Sequence, residues 1–187
     1  MKKIMVVMLA AVAALSSAPA FADSINAEVR LGDIRGGARP NTTEFDVNYN
    51  APLVSYLNYG AEVSITQANK SGPVSGKVSV NLGPNLPVVL GFTPTAYVEV
   101  GRNIQQNRNY NFWGVAGNLS RDVYGPVRVN VGYRHREGFA RANLREERVN
   151  AGLGFDVTKS NTLGVNYYRT TGTTRSDAVA FGLTHRF

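Results

Sequence analysis

The sequence has no cysteine and only two histidines, and it has a single long uninterrupted apolar stretch. Without cysteine, the fold uses no disulfide and no thiol chemistry. The His, Asp and Glu residues show no spacing typical of metal ligands. The pair of glycines around Leu153 lies in a strand-like segment and lacks the following helix of a phosphate-binding loop. We therefore expect no metal and no cofactor.

The apolar run lies at the N-terminus. Lys2 and Lys3 precede an apolar stretch from Ile4 to Leu15, and Ala20-Phe21-Ala22 follows as a small-residue cleavage site. This 12-residue stretch is shorter than the ~20 residues of a membrane-spanning helix. We expect residues 1–22 to be a cleaved signal peptide, with an uncleaved anchor as the alternative, and residues 23–187 to form one domain.

The charge balance is basic. Without Lys2 and Lys3, 18 basic residues face 13 acidic ones, a net charge of +5. In an exported chain we expect no nucleic-acid partner. Anionic lipid headgroups, lipopolysaccharide phosphates or anionic solutes fit the excess of arginine better.

Period-2 alternation runs through the rest of the chain and predicts an all-β fold. Val127, Val129 and Val131, for example, alternate with Arg128 and Asn130. Ten such segments predict a closed antiparallel barrel of ten strands. Eight strands are the alternative, if either the fifth segment, which Pro94 interrupts, or the first hairpin is not as the alternation indicates. An even count places both termini on one side, which we expect to be the periplasm, with longer loops on the other side.

The polar faces distinguish a membrane barrel from a soluble one, whose apolar face would point inward. These faces carry many glycines and charges of both signs, which suits a crowded polar lumen. Aromatic residues lie on the apolar faces, several near strand ends, as in the girdles of membrane barrels. We expect the following charges to face the lumen: Glu28, Arg30, Glu44, Asp46, Glu62, Lys77, Glu99, Arg128, Arg134 and Asp156.

The last ten residues, Ala178 to Phe187, carry alternating hydrophobic residues and end in phenylalanine. They resemble the C-terminal signal of bacterial outer-membrane proteins. The resemblance implies a Gram-negative outer-membrane location and contact of Phe181, Leu183 and Phe187 with the barrel-assembly machinery. It is specific for the class and assigns no subgroup among small porins, adhesins and barrel enzymes.

The most basic stretch falls where we expect an external loop, from Glu137 to Glu147, and at its rims. Arginine pairs bidentately with phosphate. Contact with lipopolysaccharide or an anionic host surface is one interpretation, and a solvated loop with internal Arg–Glu pairs is the other. The residues concerned are Arg136, Arg141, Arg145 and Arg148.

Two functions remain open at this point. The first is a narrow channel, with anion preference suggested by the arginines. The second is a surface-exposed structural or adhesion-type barrel. In both, the lumen charges line a path or form a structural salt-bridge network. A barrel lipid hydrolase is a third option, but His135 has no serine in register, since Ser120 and Ser176 lie elsewhere. We therefore expect no enzyme activity.

Overall fold

The computed structural model describes residues 24–35, 41–68, 72–105, 109–139, 141–173 and 175–187. The signal peptide expected at residues 1–22 lies outside these ranges. The described chain forms ten strands. They are β1 (Ser24–Arg35), β2 (Asn41–Val54), β3 (Leu57–Ala68), β4 (Val74–Pro84), β5 (Phe92–Ile104), β6 (Tyr110–Tyr124), β7 (Val127–Gly138), β8 (Arg141–Asp156), β9 (Asn161–Gly172) and β10 (Arg175–Arg186).

The sheet closes on itself. Each strand pairs antiparallel with its sequence neighbours, and β1 completes the ring by pairing with β10. The ten-strand prediction is therefore confirmed. Ser24 lies opposite Arg186, so both ends of the described chain lie at one mouth of the barrel. We call this mouth the terminal end and the opposite mouth the distal end.

The barrel is apolar outside and polar inside. Along β7, Val131 and Tyr133 point outward and are 53% and 45% exposed, while Arg136 points inward and is 4% exposed. The same alternation holds around the ring, as Leu153 of β8 and Phe181 of β10 illustrate. A closed sheet satisfies its own backbone hydrogen bonds, so this arrangement is that of a transmembrane barrel of the outer-membrane type. Among the described residues, no helix is long and apolar enough to cross a bilayer.

Prolines lie where the ladder tolerates them. Pro94 is inside β5, but β4 pairs with β5 only up to the Leu82–Val98 pair, so Pro94 is paired with β6 alone. Proline cannot donate a backbone hydrogen bond and is accepted at such one-sided positions. Pro52 lies beside an irregularity in the β2–β3 register. β2 continues past Pro52 to Val54, and the β2–β3 turn lies at residues 55–56.

The loop lengths differ from the prediction. The distal connections span five, five, five, two and two residues, and the terminal ones span two, seven, two and four. The distal loops are therefore not generally longer. The segment from Glu137 to Glu147 is nearly all strand, because β7 runs to Gly138 and β8 begins at Arg141. Strand pairing continues beyond the apolar band, since the backbone ladder does not require apolar side chains.

Barrel closure makes a direct prediction. Ala27 of β1 lies opposite Leu183 of β10, which in turn lies opposite Leu163 of β9. Oxidation should link the pair Ala27→Cys and Leu183→Cys in the folded protein, because paired Cα atoms lie about 5 Å apart. The pair Ala27→Cys and Leu163→Cys should not link, because two interstrand spacings amount to about 9.6 Å. Equal linking of both pairs, measured by gel mobility, would contradict the closure.

Candidate functional site

A layer of buried charge crosses the middle of the lumen. It contains six carboxylates and five cations, all on inward positions of the strands. We call it the charge layer. Its members are Glu28, Arg30, Glu44, Asp46, Glu62, Lys77, Glu99, Arg134, Arg136, Glu146 and Arg148.

One half of the charge layer joins β3, β5 and β7. The Arg134 guanidinium donates two hydrogen bonds to Glu62, at 3.2 and 2.7 Å, and a third to the Tyr97 hydroxyl. Arg136 binds Glu99 through two nitrogens, at 2.9 and 2.8 Å, and also reaches Glu62 at 3.2 Å. Bidentate pairs of this kind combine strength with a fixed geometry. They tie three strands together across the lumen.

The other half is centred on Arg30 of β1. Its guanidinium lies 2.5 Å from Glu28, 2.8 Å from Glu44 and 2.9 Å from Asp46. The Tyr168 hydroxyl donates to Glu28 at 3.0 Å, and Arg30 lies 4.5 Å from the centre of the Tyr168 ring. Burial of a charge is costly unless it is paired, so this arginine depends on its three carboxylates.

Three further residues extend the network toward β4 and β8. Arg148 lies 3.2 Å from Glu146 and 3.8 Å from Glu44. Lys77 donates to the other oxygen of Glu146 at 3.1 Å. These contacts join the Arg30 half to the opposite wall of the barrel. The lumen is therefore crossed by side chains alone in the described part of the chain.

Glycine makes room for the long side chains of the layer. Gly114 of β6 lies in register between Glu99 and Arg136. A Cβ atom at Gly114 would lie 2.8 Å from the Glu99 carboxylate and 3.0 Å from the Arg136 side chain. The glycine lets these two side chains lie over the β6 backbone and meet each other.

Two cavities open on the two sides of the charge layer. The one at the terminal end has a volume of about 490 Å³ and reaches Arg30 and Arg134. The one at the distal end has a volume of about 330 Å³ and reaches Lys77 and Arg136. Between them lie Asp46, Ser64 and Glu62, which are only 1 to 2% exposed. The lumen is thus narrow in the middle and open at both mouths.

The structure brings together eight of the ten charges expected in the lumen. The other two, Arg128 and Asp156, lie at the terminal mouth and are partly exposed. Arg128 lies 2.7 Å from Asp122 and 3.7 Å from Asp156, which also lies 3.7 Å from Arg186. These four residues form a separate rim group.

The expected external basic loop was wrong for two of its four arginines. Arg136 and Arg148 lie on inward strand positions and are buried in the charge layer. Arg145 is exposed on the outward face, and the Arg141 side chain lies outside the described residues. The period-2 alternation of β7 and β8 continues into this segment and could have predicted their position. Arg136 lies two residues after Arg134, and Arg148 lies two residues before Asn150, so both share the inward face.

The histidines and the C-terminal aromatic residues lie on the outward face. His135 packs against Trp113, with ring centres 5.5 Å apart, and lies 3.6 and 3.9 Å from Glu137 and Glu147. His185 contacts Asn161 and Phe187 near the terminal end. Phe181, Leu183 and Phe187 are all exposed on this face. Within the described ranges, no group of three or more potential metal ligands occurs.

Comparison with known proteins identifies the fold. The sequence matches no known family profile, and no curated protein shows significant similarity to it. Among solved structures, LpxR from Salmonella typhimurium is similar with a TM-score of 0.51 and 11% identity, covering 88% of this chain and 100% of that one. A KdgM porin in complex with disordered oligogalacturonate gives 0.48 and 11%, covering 88% and 99%. Neisserial surface protein A gives 0.42 and 11%, covering 88% and 96%. The chain has the fold of small outer-membrane β-barrels.

Proposed function

We propose that the chain is a narrow outer-membrane channel for small solutes, closed at rest by the charge layer. The observation that carries this proposal is the pair of cavities that face each other across one layer of side chains. A purely structural barrel would have its lumen filled from end to end, as narrow barrels usually are. Here only a single layer separates the two mouths.

The charges of the layer bear on ion preference. It holds six carboxylates and five cations, and these are paired with each other. The excess of arginine in the whole chain is therefore not concentrated at the narrowest point. We propose weak ion selectivity in place of the anion preference that the overall charge suggested.

Opening the layer should raise conductance. Replacing Glu62→Ser together with Arg134→Ser removes one carboxylate and one cation, so the net charge is kept while two long side chains are lost. We expect single-channel conductance in planar bilayers to rise severalfold over the wild type. The variant Asp122→Ser with Arg128→Ser removes a comparable pair from the terminal mouth and should conduct like the wild type.

The same recordings contain the result that would overturn the proposal. If the Glu62 and Arg134 variant folds, as judged by heat-modifiable gel migration, and still conducts no more than the wild type, the charge layer is not the constriction of a channel.

A second candidate function rests on the outward face of the distal end. Among the side chains that the structure describes, four exposed arginines lie just beyond the apolar band there, on β5, β8, β9 and β10. We propose that this collar contacts lipopolysaccharide phosphates, with the distal end outside the cell and both termini in the periplasm. Its members are Arg102, Arg145, Arg169 and Arg175.

The collar makes a separate prediction. Arg145→Ala with Arg169→Ala should weaken lipopolysaccharide binding to the refolded protein severalfold, because two phosphate partners are lost. Arg121→Ala removes an exposed arginine beside the Phe92 ring near the terminal end and should leave binding unchanged. Equal losses in both variants, measured by titration in detergent, would rule out a distal site.

The C-terminal strand fits a role in assembly. We propose that Phe181 and Leu183 on the outward face of β10, together with Phe187 directly after it, are the residues that the barrel-assembly machinery contacts. We also propose that the protein is not an enzyme. The nearest acidic partners of His135 are Glu137 and Glu147, and Ser120 pairs instead with Asn130, five positions along β7.

A further inference from the structure

The cavity at the terminal end is lined by an unusual number of carboxamides. Eight asparagines from seven strands face it, above the charge layer. Between the charge layer and the terminal mouth, the wall of this cavity carries no charged residue other than those of the rim group. Between the charge layer and the rim group, the wall of the terminal cavity therefore offers a solute uncharged hydrogen-bonding groups.

Glycines in the neighbouring strands hold these carboxamides flat against the wall. Gly132 of β7 lies in register between Asn118 and Asn150, and a Cβ atom there would lie 2.9 and 2.5 Å from their side-chain oxygens. Gly152 of β8 lies in register with Asn166, whose carboxamide a Cβ atom would overlap. The pairing repeats on consecutive strands and keeps the cavity open instead of filled.

The carboxamides have hydrogen-bonding capacity to spare. Each carboxamide has two donor hydrogens and an acceptor oxygen with two lone pairs. Asn150 donates to Asn130 at 3.2 Å, and Asn166 donates to Glu28 at 3.2 Å. Donors and acceptors thus remain available side by side around the wall.

Each arginine of the charge layer that lines this cavity has a carboxylate partner. Arg148 lies 3.2 Å from Glu146, although its Nε and Nη1 atoms have no hydrogen-bond partner among the described residues. At the mouth, Arg128 lies beside Asp122 and Asp156. At the floor, Arg30 and Arg134 bind the carboxylates of the charge layer. An anionic solute would have to compete with these carboxylates, and an apolar solute would leave the carboxamides unpaired at a cost.

We infer that the terminal cavity binds uncharged polyhydroxylated solutes, such as short neutral oligosaccharides. Hydroxyl groups both donate and accept, which matches the mixed groups of a carboxamide wall. The volume of about 490 Å³ lies within the usual range of small-molecule sites, about 300–1,000 Å³. That such a solute then crosses the barrel rests on the proposed channel function, whereas its binding does not.

Binding is tested on the refolded protein in detergent micelles, by calorimetry or ligand-observed NMR with maltotriose. We expect saturable binding that weakens about tenfold or more in the variant Asn130→Leu with Asn150→Leu, because two hydrogen-bonding side chains are replaced by apolar ones with the same number of non-hydrogen atoms. Asn111→Leu, on the outward face of β6, should bind like the wild type.

A second pair of variants tests the glycine arrangement while keeping every carboxamide. Gly152→Ala should displace Asn166 and weaken maltotriose binding. Gly164→Ala should not, because a Cβ atom there comes no closer than 3.8 Å to any neighbour.

Absence of maltotriose binding by the folded wild type would overturn the inference. So would preferential binding of the acidic trisaccharide trigalacturonate. Because the assay needs no bilayer, failure of the channel proposal would show as silent bilayer recordings with sugar binding intact, and the two failures are distinguishable.

Discussion

The buried charge layer is the constraint on which the rest of the barrel depends. Removing one partner of a buried ion pair typically costs about 3–5 kcal/mol, because the other charge is left unpaired. The layer also fixes strand register. A shift of one residue would turn Arg134 or Arg136 toward lipid, where a cation at the bilayer midplane costs about 2–4 kcal/mol. The inward alternation and the narrow middle of the lumen both follow from satisfying these charges.

Glycine is the second half of this design. At several positions where a long polar side chain lies across the wall, the residue opposite it on the next strand is glycine, as with Gly114 opposite Glu99 and Gly152 opposite Asn166. In the middle of the barrel, this space lets arginines and carboxylates meet across the lumen. Nearer the terminal end it lets asparagines lie flat. Glycines on the inward face therefore allow both the closed charge layer and the open terminal cavity.

The number of strands and the inside-out polarity could be predicted from the sequence, because period-2 alternation and glycines on the polar faces are local signals. The ends of the strands could not be predicted in the same way. Apolar residues mark only the part of a strand that meets lipid, so the charged continuation from Arg145 to Arg148 resembled a loop. The ion-pair partners in the charge layer could not be predicted from the sequence either. Glu62 and Arg134 are 72 residues apart, and only closure of the barrel brings them together.

A double-mutant cycle on Glu62 and Arg134 tests most directly whether the charge layer stabilises the barrel. Wild type, Glu62→Gln, Arg134→Gln and the double variant are unfolded by urea from lipid vesicles, and their free energies of unfolding are compared. If the charge layer holds the barrel together, each single variant is strongly destabilised and the coupling energy is about 1–3 kcal/mol. Additive effects, within about 0.5 kcal/mol, would contradict the account.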